Sequence, residues 1–135
     1  MLKAAFSNYS VKLKGKTWKT SEHYFQAQKF ENKNYQNLIA NAASPMKAAE
    51  LGRSRKEKIK QNWDNIKDNV MYEVLKAKFT QHQELKELLI QTKDAILVEH
   101  TENDSYWGDS GDGSGKNKLG KILMKIREEI NEVNL

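Results

Sequence analysis

Residues 20–30, TSEHYFQAQKF, bring an acid, a histidine, two amides and a lysine within eleven positions. On a helix, Glu22, Gln26 and Lys29 are spaced i, i+4 and i+7 and therefore share one face. A carboxylate can move protons and a neutral lysine can act as a nucleophile, so this face has groups for acid–base or covalent chemistry. The same spacing fits a surface stripe of weak polar pairs, and spacing alone favours this stripe over a site.

Thiol and metal chemistry have little support in the sequence. The chain has no cysteine, which excludes a thiol nucleophile, a cysteine-ligated metal and disulfides. The three histidines, His23, His82 and His100, fall in separate predicted elements and do not have the spacing of metal ligands. His23 is therefore interpreted as a packed, hydrogen-bonded residue, and the sequence predicts neither a metal nor a cofactor.

A second group of candidate residues lies in the polar segment 99–120, which holds five of the seven glycines. Tyr106 and Trp107 come directly before the first of these glycines. A polar, glycine-rich loop with two aromatic residues is more typical of a binding loop than of a simple connection. Its backbone N–H groups, next to a predicted helix N-terminus, could cradle a phosphate.

The elements that must position these residues begin near the N-terminus. Apolar residues alternate with lysines around a Lys-Gly-Lys turn at residues 14–16, and this pattern predicts a short hairpin. A helix then begins with Thr20 or Ser21 as its cap, and Glu22 lies in the first turn, where the helix dipole favours a carboxylate. A second helical stretch is predicted over residues 35–42.

Start and stop signals predict the remaining elements. Ser44, followed by proline, begins a short helix that ends at Gly52. Thr80 and Gln83 match a capping box and predict a new helix, and the apolar run 95–98 predicts a strand. Two longer helices have apolar faces formed by Trp63, Ile66, Val70, Val74, Leu75 and Phe79, and by Leu119, Ile122, Leu123, Ile126, Ile130 and Val133.

The sequence thus predicts a mainly α-helical fold, a single multihelical domain over residues 1–135 with a small N-terminal strand or hairpin element. Residues 1–70 carry 14 Lys/Arg against 6 Asp/Glu, net +8, whereas residues 71–135 carry 9 against 12, net −3. The basic half favours an anionic partner or, equally, a lysine-rich solvated surface. No apolar run approaches about 18 residues, so we expect no membrane association, and the lack of cysteine fits a cytoplasmic protein.

Several strings of the sequence, in addition to residues 20–30, resemble one enzyme family. They follow the order of that family over nearly the whole chain. The strings are Phe6-Ser7-Asn8, Ala43-Ser44-Pro45, Leu51-Gly52-Arg53, Trp63 with Met71, Ala77-Lys78-Phe79, Leu97-Val98-Glu99, Asn103-Asp104, Tyr106-Trp107-Gly108 and Asn117-Lys118-Leu119-Gly120. On these residues the chain is similar to the YbiA/NADAR family of N-glycosidases.

The resemblance implies a mainly α-helical fold and cleavage of the bond between a ribose C1′ and an exocyclic amine. Two substrate classes are implied: a phosphorylated ribosylamino-pyrimidine intermediate of riboflavin synthesis, and ADP-ribose attached to guanine in nucleic acid. Both are anionic, which agrees with the basic N-terminal half. Family membership alone does not choose between them.

For this chemistry the resemblance makes Glu22 and Lys29 the expected catalytic residues. Glu22 would exchange protons with the leaving amine. Lys29, if neutral, could displace that amine by forming its own Schiff base with the opened ribose. Direct hydrolysis by a water that Glu22 activates is the alternative, and the sequence leaves both routes open.

Substrate binding is expected from aromatic surfaces, amide edges and a cation. Trp107 would stack on the heterocycle, whereas Trp63 fits a pocket wall and a core position equally well. Arg53 is the candidate phosphate ligand, with Lys47 nearby, and its alternative is a solvated helix end. The other expected substrate-binding residues are Asn8, Tyr24, Asn103, Asp104, Tyr106 and Gly108.

The function predicted from the sequence is a cofactor-independent N-glycosidase that acts on a phosphorylated ribosylamine. The alternative is a non-catalytic module that binds ADP-ribosylated or single-stranded nucleic acid through its basic half and its tryptophans. Turnover of excess substrate separates the two. The sequence leaves the oligomeric state open.

Overall fold

The fold is described by a computed structural model that covers residues 9–133. The chain divides into two compact units, one that runs to His82 and one that begins at Gln83. Within residues 9–133 the structure contains six α-helices and one two-stranded antiparallel hairpin. The predicted mainly α-helical class with a small N-terminal hairpin is therefore confirmed. Phe6, Ser7 and Asn8, which carry part of the family resemblance, lie outside the described residues.

The hairpin consists of β1 (Val11–Leu13) and β2 (Lys16–Trp18) and opens the first unit. Val11 pairs with Trp18, and both side chains are buried. The two turn residues Lys14 and Gly15 have φ of 54° and 77°. Positive φ at both positions is the signature of a tight hairpin turn whose twist matches the strands, as the sequence predicted.

Four helices complete the first unit: α1 (Ser21–Gln28), α2 (Lys33–Ala40), α3 (Pro45–Gly52) and α4 (Trp63–Gln81). Helix α1 packs against the other three, and the hairpin packs on α4. Thr20 and Ser44 accept hydrogen bonds from the backbone N–H groups of His23 and Lys47, so both are N-caps as predicted. Helix α2 begins two residues before the predicted stretch, because the Asn32 side chain caps it.

The second unit contains α5 (Gln83–Gln91) and α6 (Lys118–Val133), which pack on each other. Their buried residues include Leu85, Leu89, Leu123, Ile126 and Ile130. The predicted apolar face of the last helix is confirmed except at its end, where Val133 is 83% exposed.

Two predictions about local structure were wrong. Thr80 does not cap a new helix, because it lies inside α4 and its hydroxyl donates to the carbonyl oxygens of Lys76 and Ala77. Residues 95–98 do not form a strand. The backbone of this segment bonds instead to the side chain of Asn117, which donates to the Leu97 carbonyl and accepts from the Glu99 N–H. One amide side chain thus supplies the partners that a second strand would have offered.

Candidate functional site

Helix α1 presents Glu22 and Gln26 side by side on one face. Nε2 of Gln26 donates to Oε1 of Glu22 over 2.8 Å, and both side chains are half-buried. The i, i+4 spacing predicted from the sequence therefore produces a direct contact. The hydrogen bond fixes one carboxylate oxygen of Glu22 and leaves the other oxygen as a proton acceptor.

Lys29 is the C-cap residue of α1, and its amine points to the end of another helix. Nζ of Lys29 donates to the carbonyl oxygen of Gly52, the last residue of α3, over 2.9 Å. Carbonyl groups at a helix C-terminus lack partners within the helix and carry partial negative charge, so they attract a lysine amine. The hydroxyl of Tyr35 bonds the neighbouring carbonyl of Leu51 over 2.6 Å.

Gln26 and Gly52 connect these two residues. The side chain of Gln26 lies against Gly52 so closely that a Cβ added there would come within 2.6 Å of Gln26 Cδ. Glu22, Gln26, Gly52 and Lys29 therefore form one continuous set of contacts between α1 and the end of α3. We refer to these four residues as the Glu22–Lys29 cluster.

The pKa of Lys29 is lowered from its ordinary value. Burial is the main cause, and the positive charges of Arg55 and Lys67 add to it, while Asp64 opposes it. The chain that carries Arg55 runs beside Lys29, since Lys60 N–H donates to the Lys29 carbonyl over 3.0 Å. A lysine with a lowered pKa has a larger neutral fraction near neutral pH, and the neutral amine is the nucleophilic form.

Two aromatic candidates of the first unit are packed inside it. Trp63 is 8% exposed and its ring centroid lies 5.1 Å from that of Phe25. Tyr24 is fully buried, and its hydroxyl donates to Oε1 of Glu73 over 2.7 Å. Trp63 thus has the burial of a core residue, and substrate contact by either ring stays a prediction.

The cationic candidates lie at the surface of α3. Arg53 is the C-cap of that helix and is exposed. Lys47 is also exposed and forms an ion pair of 3.4 Å with Glu50. The sequence did not single out Arg55, Lys67 or Asp64, because their effect on Lys29 depends on chain segments that fold back from beyond residue 52.

His23 is buried on α1, as expected for a packed histidine. Its Nε2 donates to the Ala42 carbonyl over 3.0 Å, and Nδ1 accepts from the Thr20 hydroxyl over 2.7 Å. A carbonyl can only accept, which fixes the proton on Nε2. Burial lowers the pKa of His23, and the nearby charge of Lys19 lowers it further.

Lys78, which belongs to one of the strings that carry the family resemblance, is a second buried amine. It is fully buried on α4, and its Nζ donates to the Ser21 hydroxyl over 3.5 Å. Burial lowers its pKa to about 8. A signal was available in the sequence, because Lys78 lies four residues after Val74 on the apolar face of the helix.

The glycine-rich loop belongs to the second unit and is held by its own side chains. Oδ1 of Asp104 accepts from the backbone N–H groups of Tyr106 and Trp107, at 3.0 and 2.8 Å. The two aromatic rings are half-buried and meet edge to face with centroids 4.9 Å apart. A Cβ on Gly108 would approach the Glu99 carbonyl oxygen to 2.9 Å, so glycine is needed for this close approach. Asn103 is exposed.

Asp109 organises the other half of the loop. It is 3% exposed, accepts from the Gly111 N–H over 2.8 Å and contacts Nδ1 of His100 at 2.6 Å. These bonds occupy the carboxylate within the loop.

Over residues 9–133 no three His, Asp or Glu side chains come together in a way that could hold a metal ion. In the same part of the chain no helix is long and apolar enough to cross a membrane.

Comparison with known proteins identifies the family. The family model for the NADAR domain matches residues 2–131 of the chain. The chain belongs to the NADAR domain family. The sequence of this NADAR protein is 54% identical to N-glycosidase YbiA of Escherichia coli (strain K12) over 128 residues, which is 93% of this chain and 80% of that protein.

Two further comparisons extend this result. The NMR structure of E. coli YbiA has a TM-score of 0.88 to this NADAR domain at 52% identity, covering 94% of this chain and 76% of that chain. Riboflavin biosynthesis protein VVA0006 of Vibrio vulnificus (strain YJ016) is 40% identical over 96% of this chain and 35% of that protein. The NADAR protein described here is an N-glycosidase, a hydrolase that acts on N-glycosyl bonds.

Proposed function

We propose that this N-glycosidase hydrolyses the bond between C1′ of a phosphorylated ribose and an exocyclic amine of a heterocycle. The observation that carries the proposal is the Glu22–Lys29 cluster, in which a half-buried carboxylate and an amine of lowered pKa are linked through Gln26 and Gly52. A proton carrier and a nucleophile are the two groups that this reaction requires.

The proposed reaction exchanges one imine for another. The N-ribosylamine opens to an imine at C1′, and neutral Lys29 adds to this carbon. Glu22 takes the proton that Lys29 loses and gives it to the departing nitrogen, so the heterocyclic amine leaves neutral. Water then adds to the lysine imine and releases the free sugar and the lysine. In the competing route, Glu22 takes a proton from a water that attacks C1′ directly. It gives that proton to the nitrogen as the C1′–N bond breaks, and Lys29 supplies only charge.

The charges around the cluster favour an anionic substrate. Arg55 and Lys67 are near enough to Lys29 to lower its pKa, and Arg53 is exposed at the end of the same helix α3. A phosphate near these cations would be attracted by all of them. We therefore propose Arg53 as a phosphate ligand.

A ribosylamino-pyrimidine phosphate of riboflavin synthesis is the substrate we favour, because the name of the Vibrio relative places that protein in riboflavin biosynthesis. ADP-ribose on guanine offers the same bond and a similar negative charge, and it is the competing substrate. Asn8, Tyr24, Trp63, Asn103, Asp104, Tyr106, Trp107 and Gly108 remain proposed substrate-binding residues.

Turnover of two substrates by the purified protein tests the proposal. A phosphorylated ribosylamino-pyrimidine and a guanine oligonucleotide bearing ADP-ribose are each supplied in large excess, and the released base and sugar are measured by mass spectrometry. Multiple turnovers of the first, with slower release from the second, are expected. Faster release from the oligonucleotide would reverse the substrate assignment, and binding of one equivalent without product from either would contradict hydrolysis of this bond.

A further inference from the structure

The backbone conformation at position 52 does not require a glycine. It is the last residue of α3, and Arg53 continues with right-handed dihedral angles. Gly52 is not among the residues with positive φ. The sequence suggested a helix stop at this position, but a glycine that stops a helix normally adopts the left-handed conformation after the last turn. Alanine in a helix is more favourable than glycine by about 0.5–1 kcal/mol, so another constraint must explain this residue.

That constraint is the side chain of Gln26. The three atoms nearest to an added Cβ all belong to Gln26: Oε1, then Cδ at 2.6 Å and Cγ at 3.2 Å. No real Cβ tolerates such contacts, so any other residue at position 52 would displace the amide. Backbone atoms are not among these nearest neighbours, which means that the displacement would move one flexible side chain and leave the fold in place.

Displacement of Gln26 would reach Glu22 at once. The amide that Gly52 accommodates is the one that donates to Oε1 of Glu22 over 2.8 Å. The carbonyl oxygen of Gly52 meanwhile accepts from Nζ of Lys29 over 2.9 Å. Gly52 therefore contacts both halves of the cluster. Its Cα, which carries no side chain, leaves room for the Gln26 amide that bonds Glu22, and its carbonyl oxygen bonds Lys29.

We propose that Gly52 and Gln26 are positioning residues for Glu22, with the absence of a side chain at position 52 allowing the Gln26 amide to fix the carboxylate for proton transfer. This inference rests on the proposed function, because it assumes that Glu22 moves protons in the reaction. The sequence predicted no part in the reaction for either residue.

Gly52→Ala provides a selective test, because it should spare the fold. The melting temperature is expected to stay the same or to rise by a few degrees, since alanine favours the helix. The kcat is expected to fall about ten- to a hundredfold, the size of a lost hydrogen bond to a charged group. KM should change less than about twofold, because the bond acts on the transition state. A wild-type kcat in this variant would overturn the inference.

Double substitution separates positioning from packing. Gln26→Met keeps the length of the side chain but has no donor, so it should lose kcat as Gln26→Ala does. Adding Gly52→Ala to Gln26→Ala should cause no further loss, because the amide that it displaces is already gone. Independent losses that multiply in the double variant, or a wild-type kcat in Gln26→Met, would contradict the proposed role.

A measurement without substrate distinguishes this inference from the proposed function. In the wild-type background, with Gly52 present, Glu22→Gln should shift the NMR signals of the Gln26 side-chain amide, because residues 22 and 26 are hydrogen-bonded. In the Gly52→Ala background the same substitution should leave those signals unchanged. If wild-type protein hydrolyses no ribosylamine but this pattern appears, the function fails and the structural coupling stands. If the amide signals respond equally in both backgrounds, Gly52 does not hold Gln26 on Glu22.

Discussion

The amine of Lys29 is bonded to the carbonyl oxygen of Gly52 at 2.9 Å, so it points to the end of α3 and not along α1. The sequence predicted only that Lys29 shares a helical face with Glu22. A neutral Lys29 amine keeps its lone pair while one of its N–H bonds donates to this carbonyl, so attack on C1′ does not require this hydrogen bond to break.

Imine trapping tests Lys29 directly. Borohydride added during turnover should reduce a lysine imine and leave the sugar covalently attached to Lys29, detected by peptide mass mapping. Lys29→Arg keeps a positive charge but has no nucleophilic amine, so it should abolish both trapping and turnover. Lys33→Arg, on the exposed surface of α2, is the matched control and should behave like the wild-type protein.

The mapped position decides between mechanisms. Attachment to Lys78, which is buried and has its pKa lowered to about 8, would move the nucleophile to α4. No attached sugar, together with full activity in Lys29→Arg, would leave direct hydrolysis by a Glu22-activated water as the surviving route.

Glu22→Gln tests the proton carrier. The amide is nearly isosteric with the carboxylate but cannot exchange a proton, so kcat should fall on the order of a hundredfold or more while the fold is retained. Steady-state kinetics and the melting temperature measure the two effects separately. Glu50→Gln, on the exposed face of α3, is a suitable control. Turnover near the wild-type rate in Glu22→Gln would remove Glu22 from the mechanism.

Local patterns predicted the parts of the structure that depend on residues close in sequence. The contact between Glu22 and Gln26 follows from helical spacing, and the caps at Thr20 and Ser44 follow from side chains that bond N–H groups three residues later. Each of these features is determined within one turn of chain, so the sequence pattern is sufficient.

Contacts between distant segments were not predictable in the same way. The contact of Gln26 with Gly52 spans 26 residues, and the bonds of Asn117 to Leu97 and Glu99 span 20 and 18. No periodicity encodes such pairs. Thr80 illustrates the same limit, since its match to a capping box was overridden by the continuation of α4, where its hydroxyl bonds to carbonyls within the helix.

Replacement of Trp107 separates substrate binding from stability. Trp107 lies in a loop and is half-buried, so Trp107→Ala should raise KM more than it lowers the melting temperature. Loss of one base–aromatic stack predicts an increase in KM of about five- to a hundredfold. Trp63→Ala is the contrasting variant, because Trp63 packs on Phe25 in the core and its loss should destabilise the protein by about 3–5 kcal/mol. A collapsed melting temperature with unchanged KM in Trp107→Ala would make Trp107 structural.

Asn117→Asp tests the side chain that replaces a strand partner. The substitution keeps an acceptor for the Glu99 N–H but puts a carboxylate oxygen against the Leu97 carbonyl, where Nδ2 now donates over 2.9 Å. The free energy of unfolding should fall by about 1–3 kcal/mol, measured by urea denaturation. Asn103→Asp, at an exposed position of the same loop, should change it by less than about 0.5 kcal/mol. Equal effects at the two positions would show that the Asn117 bonds do not stabilise this unit.

The buried histidine predicts how stability depends on pH. Burial lowers the pKa of His23 below its ordinary value of 6.5, so between the two values the unfolded chain binds more protons than the folded one. The contribution of neutral His23 to the unfolding free energy is therefore fully present above pH 6.5 and is lost as the pH falls toward the folded pKa. The slope from this residue is at most about 1.4 kcal/mol per pH unit. His23→Gln keeps a donor for Ala42 and an acceptor for Thr20 but does not titrate. The unfolding free energies of the wild-type protein and His23→Gln are measured by urea denaturation from pH 5 to pH 8. Their difference should be constant above pH 6.5 and should change below it. A constant difference over the whole range would mean that His23 titrates alike in the folded and unfolded states.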